Sequence, residues 1–169
     1  MPIASLNHAV LFVRDSEKSA AFYEEVLGFR RVGAFPGAVF MQAAGSSNDH
    51  DLGLFSVGEA AGASTAGRQS VGLYHLAWEV DTLAELESLA VALSERGAMV
   101  GATDHGTTKG VYGRDPDGIE FELTWLVPAD RLPEASAWTS RALDFEKEKE
   151  RYGADTRGGV GVSHPAPVA

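Results

Sequence analysis

The chain repeats itself. Leu6-Asn7-His8-Ala9-Val10-Leu11-Phe12-Val13 is similar to Leu73-Tyr74-His75-Leu76-Ala77-Trp78-Glu79-Val80, and an internal repeat of this kind marks each copy as a structural unit. Both runs are rich in β-branched and aromatic residues and read as strands. Each is followed by an aspartate, Asp15 or Asp81, and then by residues at helical spacing. In the first half Asp15 or Ser16 caps the helix, Ala20, Tyr23 and Leu27 recur on one face, and Gly28 stands where a C-terminal cap belongs. In the second, Thr82-Leu83-Ala84-Glu85 has the form of a capping box. Leu83, Leu86, Leu89 and Leu93 make its apolar stripe, and Gly97 ends it. Strand candidates follow each helix, at 30–32, 38–43 and 52–57 in the first half and at 99–102, 110–112 and 119–125 in the second. Each half therefore reads β-α-β-β-β, and the expected fold class is α+β.

The spacing predicts a domain over 1–127, with module one at 3–57, a linker of small residues at 58–70 and module two at 71–127. Past Trp125, Pro128 and Pro133 interrupt the pattern, and 128–169 reads as a C-terminal helical extension. Residues 137–152 are expected to be its helix, with Glu146-Lys147-Glu148-Lys149-Glu150-Arg151 as a solvated face. Residues 153–169 read as a mobile tail, in which His164 has no expected function.

A chain of 169 residues can bury roughly 70% of its unfolded surface and needs no covalent staples. It has no cysteine, which rules out disulfides, thiolate zinc sites, iron–sulfur clusters and cysteine nucleophiles. The net charge of −10, with lysines and arginines scattered, argues against nucleic acid and anionic membranes as partners. No apolar run approaches the roughly 20 residues of a membrane span, and the start lacks the pattern of a signal peptide. A cytoplasmic protein acting on a small molecule is expected.

Chemistry is carried by the histidines. Of five, four lie in or beside predicted strands, and His8 and His75 hold the same position in the two halves. Equivalent first strands of pseudo-symmetric modules bring such residues toward one point. The last strand alternates, with Ile119, Phe121, Leu123 and Trp125 facing one way and Glu120, Glu122 and Thr124 the other. Glu122 is either a solvent-facing residue or part of a polar cavity. Two histidines and one carboxylate make the facial triad of non-haem Fe(II) sites, which also suits Mn(II).

The doubled half, the two strand histidines and the closing Asp115-Pro116-Asp117-Gly118-Ile119-Glu120-Phe121-Glu122 resemble the vicinal oxygen chelate superfamily. That group includes glyoxalase I, bleomycin-resistance proteins and type I extradiol dioxygenases. The resemblance covers about 3–127 and implies two paired modules forming a metal-centred cup. Within it the extradiol dioxygenases match best. By this resemblance His8, His75 and Glu122 are the metal ligands, holding Fe(2+) or alternatively Mn(2+). Asn48-Asp49-His50-Asp51-Leu52-Gly53-Leu54-Phe55 resembles the segment with their acid–base histidine, which places that role on His50. Their tyrosine ten residues before the metal glutamate corresponds to Tyr112, and the histidine upstream of it to His105 in Asp104-His105-Gly106. Trp125, three past Glu122, also fits. The resemblance implies that Tyr112 hydrogen-bonds the substrate and that His105 orients a substrate hydroxyl. A small catechol-like aromatic and dioxygen are the implied reactants, and a homodimer or higher homo-oligomer the implied assembly. Phe12, Phe40 and Trp78 either pack the ring or belong to the core.

Two departures bear on the activity. Many extradiol dioxygenases have two such paired modules, and this chain has one. The spacing from His105 to Tyr112 is seven, in a loop of variable length. The rival readings are a glyoxalase I-like isomerase and a non-catalytic drug-binding protein. The isomerase needs a fourth ligand from the end of module one, yet no glutamate lies between Glu25 and Glu59, so Asp51 or Gln42 would have to substitute. The drug-binding proteins generally lack the triad.

Overall fold

The computed structural model describes residues 3, 5–67, 69–132 and 139–163. The chain divides into two compact units, Met1–Thr65 with Asp115–Ile119, and Ala66–Arg114 with Glu120–Ala169. The architecture is α+β, as the sequence predicts.

In the first unit, β1 (Ala9–Val13), α1 (Ser16–Leu27), β2 (Arg30–Phe35), β3 (Ala38–Gln42) and β4 (Leu52–Ser56) follow the expected order. The sheet runs β1-β4-β3-β2, with β1 parallel to β4 and the other pairs antiparallel. α1 starts at Asp15, whose carboxylate accepts from the backbone N–H groups of Glu17 and Lys18, and ends at Gly28, whose φ of 70° suits glycine. The register places Leu11, Leu54 and Val39 in one row and Leu52 and Met41 in the next, all buried. Each such side chain contributes roughly 1.5–3 kcal/mol by leaving water. Ala20, Tyr23 and Val26 of α1 complete this core. The opposite face of the sheet is aromatic, with Phe35, Phe40 and Phe55 in tilted or edge-on contact. Phe12 shares that face and is 74% exposed, so it is not a core residue.

The Asp115–Ile119 turn completes this unit. Asp115 Oδ1 accepts from the N–H groups of Asp117 and Ile119, and Tyr23 donates its hydroxyl to Oδ2. Arg14 forms an ion pair of 2.6 Å with Asp117 and also donates its backbone N–H to that carboxylate. In the predicted linker, Arg14 Nε donates to the carbonyl of Ala61.

The second unit repeats the pattern with β5 (Leu76–Glu79), α2 (Leu83–Glu95), β6 (Met99–Asp104), β7 (Thr108–Arg114) and β8 (Glu120–Leu126). It then adds β9 (Arg141–Ala142), α3 (Phe145–Tyr152) and the single turn α4 (Val160–Ser163). The sheet order is β5-β8-β7-β6-β9, with β5 parallel to β8. The Thr82 capping box opens α2 as expected. Leu83, Leu86, Ala90 and Leu93 bury its face, and Phe121, Leu123, Trp125 and Val111 supply the sheet side. β7 exceeds the predicted 110–112 at both ends, running past Gly113. A Cβ at Gly113 would lie 2.7 Å from the Phe121 ring, so the glycine serves close packing rather than a turn.

The extension departs from the expected helix over 137–152. Residues 141–142 pair with β6, at Thr103↔Ala142 and Asp104↔Arg141, and the helix begins only at Phe145. Residues 153–163 of the expected tail make contacts with the rest of the second unit. Trp125 donates its Nε1–H to the carbonyl of Thr156 at 3.1 Å, Glu79 accepts from the N–H of Val160, and Arg157 pairs with Asp81. A Cβ at Gly158 would fall 2.2 Å from the carbonyl oxygen of Leu126, so only glycine fits there. Residues 133–138 and His164 lie outside the described residues. Among the described residues no helix is long and apolar enough to cross a membrane.

The 146–151 run is not wholly a solvated face, because Glu148 is buried against a lysine. Lys109 is fully buried on β7, between Asp104 and Glu148, with Nζ 2.9 Å from the Glu148 carboxylate. Burial alone raises the Asp104 carboxyl, but the Lys109 ammonium and the Gly106 N–H outweigh it and hold the group below its ordinary range.

Candidate active site

Strand alternation sorts the second unit's sheet into an apolar face under α2 and a polar face opposite. Glu122 sits on β8 directly across from Tyr112 on β7 and from Ala77 on β5. Its side chain lies with those of the polar face, yet the residue is only 9% exposed. Of the two sequence readings, the cavity-lining one fits. Gly110 makes the space for it: a Cβ there would stand 2.4 Å from Glu122 Oε1. The sequence reading missed this glycine, whose signal was a small residue two positions before Tyr112.

His75 stands one residue before β5, and its Nε2 is 3.2 Å from Glu122 Oε2. Either Nε2 carries its hydrogen and donates to the carboxylate, or Nε2 is bare and the two acceptor atoms face a shared cation. Metal–ligand bonds of about 2.1 Å at right angles put neighbouring donors about 3.0 Å apart, close to what is seen. His75 Nδ1 is buried with no hydrogen-bond partner among the described residues, so the ring has polar capacity that the protein's own groups do not use. Imidazole and carboxylate suit a borderline divalent ion such as Fe(II) or Mn(II). Among the described residues no group of three or more His, Asp or Glu side chains is drawn together to hold a metal ion; the donors come as a pair.

Tyr112 and His105 extend the pair along the polar face. The Tyr112 hydroxyl is 2.9 Å from His105 Nε2, and its ring is edge-on to His75. Burial, and then the charge of Glu122, raise the Tyr112 phenol above its ordinary value. The phenol therefore stays protonated at neutral pH and acts as a hydrogen-bond donor. His105 Nδ1 meets the backbone carbonyl of Thr139 at 3.1 Å. Four of the residues singled out in the sequence, His75, His105, Tyr112 and Glu122, thus lie in one unit on one connected face.

The other two, His8 and His50, come together in the first unit. Their rings lie tilted against each other with centroids 4.4 Å apart, and His50 also stands edge-on to Phe40. His8 Nδ1 is 2.7 Å from the Asn7 side-chain oxygen, and His50 Nδ1 is 3.2 Å from Asp49. His8 is exposed and lies just before β1. Phe40 is half-buried in the aromatic face described above, and Trp78 is half-buried on β5. Asp51 and Gln42, the substitutes considered for a fourth ligand, are both engaged locally. Asp51 accepts from the Ala43 N–H, the Ser46 hydroxyl and the Asn48 amide, while Gln42 pairs with Arg30 and the Asn48 carbonyl. Both are committed to holding the loop before β4.

The family model described as the Glyoxalase/Bleomycin resistance protein/Dioxygenase superfamily matches residues 5–123. Among curated proteins, the manganese-dependent 2,3-dihydroxybiphenyl 1,2-dioxygenase of Geobacillus genomosp. 3 is 27% identical over 136 residues, covering 78% of this chain and 40% of that protein. The catechol-2,3-dioxygenase of Bacillus subtilis (strain 168) is 29% identical over 163 residues, covering 90% and 53%. The chain spans about half the length of the curated relatives it matches. Among solved structures, the lactoylglutathione lyase of Agrobacterium tumefaciens has a TM-score of 0.54 at 24% identity, covering 73% of this chain and 95% of its own. At that identity the likeness is one of fold.

Proposed function

Because this chain belongs to the Glyoxalase/Bleomycin resistance protein/Dioxygenase superfamily, and its curated relatives at 27% and 29% identity are dioxygenases, we propose that it is a metal-dependent extradiol dioxygenase that cleaves the ring of a catechol-like aromatic. The observation that carries this reading is the connected face in the second unit, where the His75–Glu122 pair adjoins the Tyr112–His105 hydrogen bond. An isomerase needs the first two residues and a further ligand. The last two have a use when a phenolic substrate must be held and its proton managed.

His8, His75 and Glu122 would hold the metal, Fe(II) or Mn(II). Bound there, a divalent ion supplies adjacent coordination positions for the vicinal oxygens of a catechol and for dioxygen, and a path for electrons between them. The rest of the work belongs to the protein. Tyr112, kept protonated by burial and by Glu122, donates a hydrogen bond to a substrate oxygen. His105 sets the direction of that hydroxyl. His50 is the acid–base group, taking a substrate proton and returning it, a role imidazole suits because its ordinary titration spans neutral pH. With Nδ1 on Asp49, His50 has Nε2 for this exchange. The aromatic face beside it, Phe40 with Phe35 and Phe55, offers apolar surface to a ring.

The test is anaerobic loading of the full chain with Fe(II) or Mn(II), followed by a panel of catechols assayed for oxygen uptake and coloured ring-fission product. Uptake equal to product formed is expected with at least one catechol and one of the two metals. A fully loaded protein that consumes no oxygen with any member refutes the reading.

A further inference from the structure

His105 is held from behind by residues that lie past the stretch matching the family. Thr139 donates its N–H to the His105 carbonyl at 3.4 Å and its hydroxyl to the Asp104 carbonyl at 3.3 Å, while its own carbonyl faces His105 Nδ1 at 3.1 Å. β9 then pairs with β6, and the N–H of Leu143 donates to the Ala102 carbonyl at 3.3 Å. Arg141 reaches the Asp104 carboxylate. Buried Lys109 ties the same Asp104 carboxylate to Glu148 of α3. Residues 139–148 thus form a strap over the Asp104-His105-Gly106 loop, anchored by backbone pairing to β6 and by Lys109 to β7.

A backbone carbonyl only accepts, so the imidazole nitrogen opposite it must carry the hydrogen. We propose that this C-terminal strap is a positioning element that fixes His105 as the Nδ1–H tautomer, leaving Nε2, which faces Tyr112, as its one proton-accepting atom. The Tyr112 hydroxyl then donates to Nε2 in the resting protein. A proton delivered to His105 can enter only at Nε2, and when it does the new N–H donates to the Tyr112 oxygen and turns that hydroxyl's hydrogen toward Glu122. The strap therefore gives the His105–Tyr112 pair a direction. Without it a neutral imidazole exchanges between two tautomers, and half of this directionality is gone. The link to ring cleavage rests on the proposed dioxygenase function, whereas the tautomer is read without metal or substrate, so the two fail separately.

The experiment is nitrogen-15 NMR of the histidine rings in the full chain, with His105 assigned by the signal missing from His105→Gln. At a pH where the ring is neutral, the Nδ1–H form should outweigh the other by roughly five- to tenfold, the ratio one net hydrogen bond supports. Tyr112→Phe removes the other partner and should leave this preference in place. Leu143→Pro removes the N–H that pins the strap to β6, with a residue that can precede the cap of α3, and should shift His105 toward a tautomer mixture while His50 and His75 keep their signals. Glu148→Gln weakens the Lys109 anchor and should move His105 the same way by less. A wild-type His105 carrying its hydrogen on Nε2, or averaging between tautomers, overturns the proposal. So does a preference that reverses in Tyr112→Phe, since Tyr112 rather than the strap would then be setting it. The wild-type and Tyr112→Phe spectra decide the matter even if Leu143→Pro does not fold.

Discussion

Gly110→Ala isolates the carboxylate at the heart of the candidate site. The new methyl would stand 2.4 Å from Glu122 Oε1, 3.3 Å from its Cδ and 3.4 Å from the Tyr112 ring. Ordinary contact begins near 3.4 Å, so the carboxylate oxygen must retreat by about 1 Å, against a tolerance of about 0.5 Å for a working ligand set. Two effects on stability oppose each other. Displacing a packed group costs about 1–3 kcal/mol, while removing a glycine from a strand stabilises by up to about 1 kcal/mol through the unfolded chain. Gly110 has no positive φ, so the second effect applies in full. Stability should change by under about 2 kcal/mol in urea unfolding, whereas Mn(II) affinity should fall by roughly 10–100-fold, the usual effect of disturbing a ligand's support. Calorimetric titration with Mn(II) alongside the urea midpoint separates the two. A folded Gly110→Ala protein with undiminished Mn(II) affinity would refute the assignment of Glu122 as a ligand.

Four other outcomes are expected. Lys109→Met leaves Asp104 and Glu148 buried without their cation and should cost about 3–5 kcal/mol in chemical denaturation; Lys109→Met with Glu148→Leu should recover part of that loss, and a double variant no better than the single would show the buried charges are not coupled. Burial pushes the Asp115 carboxyl up to about 6, against the N–H bonds from Ile119 and Asp117 that lower it. The folded chain thus binds this proton more tightly than the unfolded one, so the group's contribution is full below about pH 4 and is lost as pH rises through about 6, a change of about 2–3 kcal/mol. Asp115→Asn should flatten that segment of the stability–pH curve, and an unchanged curve would place the dependence elsewhere. His75→Ala should lose the metal on elemental analysis after Fe(II) loading, and full occupancy would remove His75 from the site. His50→Ala should keep metal and catechol binding while turnover falls by roughly 10²–10⁴; loss of the metal instead would make His50 a ligand and favour the isomerase.

The elements were legible where one physical rule governed them. The Thr82 capping box, the Asp15 cap and the alternation of β8 each follow from a local pattern, and all three appear at the expected places. Where two demands compete the sequence misleads. The strand expected at 110–112 is too short, ending before Gly113, yet Gly110 and Gly113 each stand where another side chain crosses close by, a fact about β8 rather than β7. Glu148 reads as part of a solvated face because its partner, Lys109, is 39 residues away in sequence. Residues 141–142 were absorbed into a helix because two strand residues carry no period, and only the open edge of β6 explains them. Within the candidate site, His75, Glu122, Tyr112 and His105 were singled out by spacing and resemblance, and they lie on one connected face. Gly110 and the Thr139 carbonyl were not singled out, since a missing side chain and a backbone atom leave no residue type to notice.

The placement of Asp115–Ile119 in the first unit has a consequence for how the chain is made. Arg14 and Asp117 are 103 residues apart, and at about 5–20 residues per second a ribosome needs about 5–20 s to pass from one to the other. Until then the N-terminal half has its strands and helix but lacks the turn that receives Arg14 and Tyr23, so neither the Arg14 guanidinium nor the buried Tyr23 hydroxyl has its carboxylate partner. The copies resemble one another as if each were autonomous, yet the earlier-made one waits for a segment borrowed from within the later. A product released before residue 115 is therefore an unfinished first unit rather than a small complete one, and slowing elongation across 66–114 should lengthen the window in which it aggregates or recruits chaperones.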